Sequence, residues 1–397
     1  MVSDNNKSNN NNITTLNSVI DGSVAVAMSG GADSSAVAVI LKERGINTLG
    51  ITMSLCNEPC APNNLSNSNY DSKAVAASIG ISHRTLDLTS AFADKIINPF
   101  VVAYNSGYTP NPCVLCNRAI KFGALRYFAK KLGCAHIATG HYACIKLKES
   151  CDTKAVYGLY TAFDNNKDQS YFLYTLTQQD LAHTLFPVGE MRKEDVRNLL
   201  QEHGLIVANK KESQDICFVP NGGLCEFIEQ RSDKSSANST QCGVIVDTMG
   251  RTMGTHSGIH RYTIGQRRGL AIASSEPLYV VDISVLSNTI TVGKKNELER
   301  SSFFVGYVNW INGDVINRPF KSLTKVRYRN AGVFCQITPV SDDMVCVTFE
   351  DKWSSVSPGQ SAVFYGDADS SGRREVLGGG VILKDQERIS WLERAMN

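Results

Sequence analysis

Short apolar runs alternate with amphipathic segments along the first half of the chain. Runs of strand length lie at residues 24–28, 48–53, 84–88 and 136–139. Apolar positions recur at helical spacing between these runs, in segments 34–44, 71–80, 90–105 and 117–132. Asp71 is expected to cap the second of these helices. Because consecutive strands joined by helices pair in parallel through right-handed crossovers, we predict a doubly wound α/β domain.

The pattern changes beyond about residue 220. Short apolar runs separated by glycine-containing turns dominate there, at residues 243–247, 278–283, 289–292, 303–310, 325–328, 345–349 and 361–365. They predict a small β-containing middle domain and a C-terminal β-barrel. The predicted organisation is a disordered polar tail at 1–21, the α/β domain at 22–219, the middle domain at 220–298 and the barrel at 299–397.

Composition narrows the class of protein. The chain has 397 residues, of which 42% are hydrophobic and 20% charged, as in ordinary globular proteins. No run of about 18 apolar residues predicts a membrane span, and the Asn-rich residues 1–12 lack the features of a targeting signal. The 12 cysteines are therefore expected to be reduced thiols in a cytoplasmic protein. A net charge of +2 means that a nucleic-acid partner would need local basic patches.

Residues 29–35, SGGADSS, form the clearest ligand-binding motif. Two glycines between a strand and a helix N-terminus let backbone N–H groups approach phosphate oxygens, and the helix dipole and serine hydroxyls add to the attraction. The common phosphate loop carries a lysine before its serine or threonine, whereas this segment carries Asp33. A carboxylate beside phosphates is explained if it meets Mg²⁺. The alternative is a glycine-rich turn with a helix cap.

The motif SGGxDS resembles the signature of the N-type ATP pyrophosphatases. This resemblance implies cleavage of ATP between its α- and β-phosphates, with pyrophosphate in the loop and AMP transferred to a substrate carbonyl oxygen. It implies ATP and Mg²⁺ as the cofactors, with no permanently bound group. Met53 and Gly140 follow predicted strands, where open α/β sheets bind ligands. The implied ATP-binding residues are Ala27, Met28, Ser29, Gly30, Gly31, Ala32, Asp33, Ser34, Met53 and Gly140.

Two cysteine-containing segments carry the remaining candidate chemistry. Residues 111–117, NPCVLCN, place Cys113 and Cys116 in a proline-stiffened loop before a predicted helix. Cys116 is expected at the start of that helix, where the dipole would lower the pKa of its thiol. Cys217 lies in a separate polar segment, ESQDICF.

Three interpretations of these thiols stay open from the residues alone. The first is a metal site, since Cys56-x3-Cys60 and Cys113-x2-Cys116 have ligand-like spacings. The second is that they are small buried residues. The third is a reactive pair, in which one thiol carries sulfur and the other resolves it.

Seven motifs together resemble the tRNA-specific 2-thiouridylase family. In chain order, between about residues 23 and 382, they are SGGADSS, TPNPCVLCNRAIKFG, ATGHYA, NKDQSYFLY, SQDICF, GIHRYTIGQRRGL and PGQSAVFY. The resemblance implies that the C2 oxygen of the wobble uridine of tRNA is adenylated and then replaced by sulfur, giving 2-thiouridine, AMP and pyrophosphate. Cys217 would carry the persulfide, Cys116 would be the nucleophile or resolving thiol, and the two would form a redox disulfide.

Cys113 departs from the pattern, because many family members have Asp at this position. A position that accepts Asp is a poor obligate metal ligand, which weakens the metal interpretation and leaves Cys113 as a possible auxiliary residue. The resemblance implies contact of the target base with Asn111, Pro112 and Cys113. It implies contact of the tRNA with His141, Lys167, Asp168, Gln169, Arg327, Tyr328 and Gln360.

The implied partners are tRNA and a protein that donates persulfide sulfur. A base in a single-stranded loop can be extruded at modest cost, about a few kcal/mol or less. Basic clusters occur in all three predicted domains and can engage phosphates in spite of the small net charge. Three other functions stay open: another adenylating enzyme of this loop class, such as an amidotransferase-type or lysidine synthetase, a tRNA-binding protein without catalysis, and a metal or iron–sulfur thiolase.

Overall fold

The computed structural model describes residues 22–56, 68–148, 155–210, 215–220, 223–232, 241–354, 356–385, 387 and 389–396. Three β-sheets organise this part of the chain. They have five, four and eight strands, and the helices belong mainly to the first sheet. Within the described residues, none of the helices has the length and apolar character needed to cross a membrane.

Seven strands belong to the N-terminal part: β1 (Ser23–Ala27), β2 (Thr48–Ser54), β3 (Ser82–Asp87), β4 (Cys134–Ala138), β5 (Cys144–Lys148), β6 (Val156–Tyr160) and β7 (Thr184–Leu185). Five of them form a parallel sheet in the order β3-β2-β1-β4-β7. The strand order reverses between β1 and β4, so the carboxyl ends of these two strands define the crevice where such sheets bind ligands.

Alternate residues of β1 pack on opposite faces of the sheet. Ala25 belongs to one buried apolar cluster, while Val24 and Val26 belong to another. This two-sided burial explains why the strand reads as a continuous apolar run rather than as an alternating one. The predicted fold class of this part is confirmed.

The α-helices are α1 (Ala32–Glu43), α2 (Ser68–Ser78), α3 (Thr89–Phe92), α4 (Asn98–Asn105), α5 (Pro112–Cys116), α6 (Arg126–Lys131), α7 (Gln178–Ala182), α8 (Lys193–Glu202), α9 (Leu224–Arg231) and α10 (Ser390–Met396). Two π-helical segments, Ala93–Ile97 and Asn117–Leu125, join α3 to α4 and α5 to α6. Short 3₁₀ turns lie at Ser170–Phe172, Ile206–Asn209, Ile259–Arg261 and Lys295–Leu298.

Two predicted helix starts are wrong. Asp71 does not cap a helix, because α2 already begins at Ser68 and Asp71 lies in its first turn. The helix predicted from residue 117 begins at Pro112, with the Asn111 side chain as its cap. Proline at the first helical position and an Asn cap before it are strong helix starts, so the apolar spacing alone placed the start too late.

The middle sheet and the barrel contain the remaining strands. The middle sheet has the order β10-β11-β8-β9 and comprises β8 (Gly243–Asp247), β9 (Thr252–His256), β10 (Tyr279–Ser284) and β11 (Thr289–Gly293). The barrel strands are β12 (Arg300–Trp310), β13 (Phe320–Lys325), β14 (Val333–Ser341), β15 (Met344–Trp353), β16 (Ser361–Ala368) and β17 (Arg374–Ile382).

The barrel closes through pairing of β12 with β17, in the order β12-β15-β14-β13-β16-β17. The prediction of a β-containing middle unit followed by a barrel is confirmed. The strand predicted at 325–328 is wrong, because β13 ends at Lys325 and the chain then turns. The hairpin β5–β6 was not predicted, and it extends the barrel sheet where Tyr160 pairs with Glu375.

Leu159 of this hairpin tests whether the N-terminal part and the barrel are stabilised by one shared hydrophobic core. It is fully buried in the cluster that contains Ala25 of β1 and Val363 of β16. We expect Leu159→Ala to cost about 2–5 kcal/mol, because it leaves a cavity between the two parts. The melting temperature should fall by about 5 °C or more.

Leu147→Ala is the matched control, because Leu147 lies in the same hairpin with 59% of its surface exposed. Its melting temperature should stay close to that of the unmodified protein. Equal melting temperatures for the two variants would contradict a shared core.

Candidate active site

The loop between β1 and α1 is held in shape by its own serines. Gly30 has a positive φ of 69°, which favours glycine, and Gly31 caps α1. The Ser34 hydroxyl accepts from the Ser29 amide (3.1 Å) and donates to the Gly31 carbonyl (3.1 Å). Ser35 donates to the same carbonyl at 2.9 Å. Ala27 and Met28 are buried directly before this loop. The loop is therefore preorganised at a helix N-terminus, where backbone N–H groups bind anions.

Gly140 fixes the loop against the end of β4. A methyl group at residue 140 would lie 2.8 Å from the amide nitrogen of Ser34 and 2.9 Å from the carbonyl carbon of Asp33. Only glycine lets these two backbones approach so closely. Met53, half-buried at the end of β2, lies at the neighbouring strand end. The predicted adenosine-binding positions thus surround the ligand crevice of the sheet.

Asp33 is engaged by two side chains that the sequence analysis missed. The Lys193 Nζ lies 2.6 Å from Asp33 Oδ1, and the Tyr142 hydroxyl donates to the same oxygen at 2.8 Å. Lys193 is 6% exposed, so its charge is compensated in a desolvated position. It reaches the loop from the first position of α8, 160 residues along the chain. No local motif predicts this contact.

A second lysine braces the other side of the loop. Lys210 Nζ donates to the Gly30 carbonyl at 3.0 Å and to Asp71 Oδ2 at 2.7 Å. Because Lys210 precedes the segment that carries Cys217, this contact ties the loop to the chain that leads to a candidate thiol.

The first two candidate thiols lie on the helix that starts at Pro112. Asn111 Oδ1 accepts from the Cys113 amide at 3.2 Å, which fixes the first turn. Cys113 lies in that turn and Cys116 at the end of α5, so Cys116 is not at the helix start as predicted. Pro112 is buried and Asn111 half-buried beside them.

The third thiol, Cys217, lies in a turn held by an aromatic anchor. The neighbouring Phe218 is buried with its ring 5.6 Å from Phe92, 5.2 Å from Phe100 and 5.5 Å from Phe227. Phe218 shares a buried apolar cluster with Leu115, and Cys116 packs against the same cluster. Cys116 and Cys113 also contribute to the raised pKa of Cys217. The structure therefore groups the three thiols that the sequence could not place together.

The side chains of Cys113 and Cys217 reach solvent and that of Cys116 is half-buried, yet the surrounding protein raises the pKa of each thiol. Burial raises the pKa of Cys116 to about 11. Burial also raises the pKa values of Cys113 and Cys217, and the other thiols add to the rise at Cys217. The predicted lowering of the Cys116 pKa by the helix dipole is wrong, because the helix starts earlier and burial is the larger effect. In each case the charge of Lys121 opposes the rise.

The described cysteines carry no disulfide, and these residues include Cys116 and Cys217. No group of three or more His, Cys, Asp or Glu side chains in the described ranges could hold a metal ion. Cys60, a member of the proposed four-thiol set, lies outside the described residues.

Several predicted tRNA contacts make internal contacts in this structure. Asp168 is buried and accepts from the Ala162 and Ser170 amides at 3.0 and 3.2 Å. His141 is also buried, with Nδ1 2.7 Å from Thr139 Oγ1. Burial, together with the charge of Lys121, lowers the pKa of His141 well below its ordinary value, so the ring is neutral.

The other predicted tRNA contacts lie at junctions between parts of the fold. Gln169 Oε1 accepts from the Tyr142 amide at 3.0 Å, next to a half-exposed Lys167. Gln360 of the barrel donates to the Thr109 carbonyl at 2.8 Å, close in sequence to the thiol helix. The remaining pair follows β13: Arg327 donates to Ser357 Oγ at 2.7 Å, and the Tyr328 ring lies 4.4 Å from Phe172.

Comparison with known proteins identifies the class. The chain matches models of the tRNA methyl transferase HUP domain over residues 22–221, the tRNA methyl transferase PRC-barrel domain over 234–294 and the Aminomethyltransferase beta-barrel domain over 300–382. The parallel sheet, its phosphate loop and the HUP match together define a nucleotide-binding α/β protein with two appended β domains.

Near-full-length relatives specify the family. The tRNA-specific 2-thiouridylase MnmA of Trichlorobacter lovleyi is 44% identical over 360 residues, covering 90% of this chain and 97% of the relative. Those of Nostoc sp. and Solibacter usitatus are 40% and 41% identical, each covering 90% of this chain and 98% of the relative. The chain belongs to the tRNA-specific 2-thiouridylase family.

Lys193 tests the electrostatics of the phosphate loop. We expect Lys193→Met to weaken ATP binding about tenfold, because it removes a desolvated cation beside the loop and leaves the charge of Asp33 uncompensated toward phosphate. Isothermal calorimetry with ATP and Mg²⁺ measures the dissociation constant. Lys42→Met is the control, since Lys42 is an exposed lysine at the far end of the same helix α1. Equal affinity in both variants would show that Lys193 does not serve the nucleotide site.

Proposed function

We propose that this protein replaces the C2 oxygen of the wobble uridine of tRNA with sulfur, using ATP and releasing AMP and pyrophosphate. The supporting observation is the contact made by two consecutive residues after β4. Gly140 packs against the phosphate loop at Ser34, while His141 lies 3.2 Å from Lys121, whose charge acts on all three thiols. The candidate phosphate loop and the candidate thiols therefore adjoin at one strand end, which supports a reaction that couples activation to sulfur transfer.

Activation uses the phosphate loop. The uridine C2 oxygen attacks the α-phosphorus of ATP, a new oxygen–phosphorus bond forms, and the bond to the bridging oxygen breaks to release pyrophosphate. Loop amides at the α1 N-terminus stabilise the pyrophosphate charge. Asp33, beside the Ser29 and Ser34 hydroxyls, is the residue that would hold Mg²⁺, and the metal would offset phosphate charge. AMP then makes the former C2 oxygen a good leaving group.

Sulfur transfer uses the thiol group. The terminal sulfur of a persulfide on Cys217 attacks C2, and AMP leaves with the oxygen. The Cys116 thiolate attacks Cys217 Sγ, so the sulfur–sulfur bond of the persulfide breaks and a Cys116–Cys217 disulfide forms. The transferred sulfur stays on C2 as the thiocarbonyl. An external thiol reductant supplies two electrons to restore both cysteines, and a persulfide-donor protein reloads Cys217.

The tRNA is proposed to lie across all three parts of the chain. Asn111, Pro112 and Cys113 would contact the extruded base at the start of the thiol helix. Lys167, Arg327 and Gln360 would contact the RNA near the junctions that they occupy. His141 and Asp168 would act there by holding the local backbone, since both side chains are buried. The middle domain and the barrel would supply further phosphate contacts.

Cys217→Ser separates the two halves of the reaction. With tRNA, ATP and a persulfide donor, we expect sulfur incorporation to fall at least about 100-fold, because serine cannot carry the sulfur. Pyrophosphate release should stay within a few-fold of the unmodified protein, because the loop is intact. Mass spectrometry of digested tRNA nucleosides measures 2-thiouridine, and a coupled assay measures pyrophosphate.

Cys242→Ser is the matched control, because Cys242 is an exposed cysteine next to the middle sheet. It should leave both measurements unchanged. Undiminished 2-thiouridine formation by Cys217→Ser would contradict the persulfide role and favour an adenylating enzyme of another kind.

A further inference from the structure

The helix that carries Cys113 and Cys116 widens directly after Cys116. Residues Asn117–Leu125 are π-helical, so their hydrogen bonds run from the N–H of residue i+5 to the carbonyl of residue i. In an α-helix, residue i+5 is turned about 140° away from residue i, whereas a π-helical turn brings it over the same face. Lys121 is residue i+5 from Cys116. The wide turn therefore places a lysine on the thiol face of this helix.

Gly123 shows that the wide turn is built into the sequence. A methyl group at residue 123 would lie 2.9 Å from the carbonyl oxygen of Arg118, five residues earlier. Glycine disfavours the interior of an α-helix, so its presence here is explained by the close approach that the π-helical turn demands. π-helical segments of this kind often lie at functional sites.

The Lys121 ammonium is held by a neutral histidine. Lys121 Nζ lies 3.2 Å from His141 Nε2, and the other ring nitrogen lies 2.7 Å from Thr139 Oγ1. Because His141 is buried and neutral, Nε2 accepts from the ammonium while Nδ1–H donates to the threonine. This chain of hydrogen bonds orients the ammonium without neutralising its charge.

Lys121 has the neutral His141 ring on one side and acts electrostatically on three thiols, those of Cys113, Cys116 and Cys217. Cys113 and Cys116 lie on its own helix, Cys217 on the turn after Lys210, and Cys56 beyond β2 acts electrostatically on Cys217. Among the residues that the structure describes, no carboxylate forms an ion pair with Lys121. The charged groups on which its ammonium acts are therefore mainly the thiols.

We propose that Lys121 is a positioning residue for sulfur transfer, whose ammonium stabilises the anionic sulfur on Cys116 and Cys217. This inference rests on the proposed function and extends it to a residue outside the cysteine pair. The thiols are protonated at rest because their surroundings are desolvated, and each must lose a proton to solvent before it can attack. A nearby fixed cation lowers the cost of that ionisation, and it does so equally for a thiolate and for a persulfide anion.

Lys121→Gln removes the charge but keeps a side-chain donor toward His141. In the full-length protein with a Cys113→Ser background, we expect alkylation of Cys116 by iodoacetamide to slow about tenfold or more between pH 8 and 9. The burial that raises the Cys116 pKa would then be unopposed, so a smaller fraction of thiolate would be present at each pH. Peptide mass spectrometry follows Cys116 and Cys217 separately.

Three further variants make the result specific. Lys121→Arg keeps the charge and should restore alkylation to within about threefold of the Cys113→Ser parent. Lys130→Gln removes an exposed lysine from the end of the same helix and should change nothing. Lys121→Met is a second uncharged variant, whose side chain is apolar. It provides an alternative to Lys121→Gln if that variant does not fold. Thermal unfolding verifies folding of each variant.

Unchanged pH profiles of Cys116 and Cys217 in a folded, uncharged Lys121 variant would overturn the inference. The alkylation assay contains neither ATP nor tRNA, so its failure is distinguishable from failure of the proposed function. If the profiles shift but the unmodified protein forms no 2-thiouridine, the proposed function fails while the effect of Lys121 on the thiols stands.

In a complete reaction, Lys121→Gln should lower sulfur incorporation about tenfold while pyrophosphate release stays within about threefold. A general loss of structure would lower both rates together.

Discussion

Two backbones meet where the end of β4 touches the N-terminus of α1. Because a methyl group at Gly140 would lie 2.8 Å from the Ser34 amide, no other residue permits this contact. The contact sets the position of the next residue, His141, and through it the position of the Lys121 ammonium, 3.2 Å away. A phosphate-binding loop at residues 29–35 and thiols at residues 113, 116 and 217 are thereby held in a fixed relation by one close approach.

Desolvation has opposite consequences at the two sides of this contact. At the loop, the buried ammonium of Lys193 lies 2.6 Å from the Asp33 carboxylate, so the two opposite charges balance each other. Around Cys116 and Cys217, desolvation raises the pKa of each thiol and so favours its protonated form. Ionisation there needs a cation of its own. The π-helical turn supplies that cation in Lys121, so an irregular helix serves the chemistry better than a regular one.

Local patterns predicted most of the fold, and contacts between distant segments explain the rest. The parallel sheet, the barrel and the phosphate loop follow from periodicity and from glycines near strand ends. The hairpin at Leu159 was missed because its strands are short and its second strand, β6, pairs with a barrel strand encoded about two hundred residues later. Lys193 was missed because no motif marks it, and the start of the Cys116 helix was misplaced because capping by Asn111 outweighs apolar spacing. The sequence singled out Cys113, Cys116 and Cys217 as candidate reactive thiols, but only the fold shows that Cys116 and the Cys217 turn pack against one apolar cluster.

The proposed function requires ATP to activate the same oxygen that sulfur replaces. A tRNA carrying ¹⁸O at C2 of the wobble uridine tests this directly in a single turnover with ATP and a persulfide donor. We predict that the ¹⁸O leaves with the nucleotide, so that each 2-thiouridine formed is matched by one AMP carrying one ¹⁸O. Formation of 2-thiouridine with unlabelled AMP would contradict it.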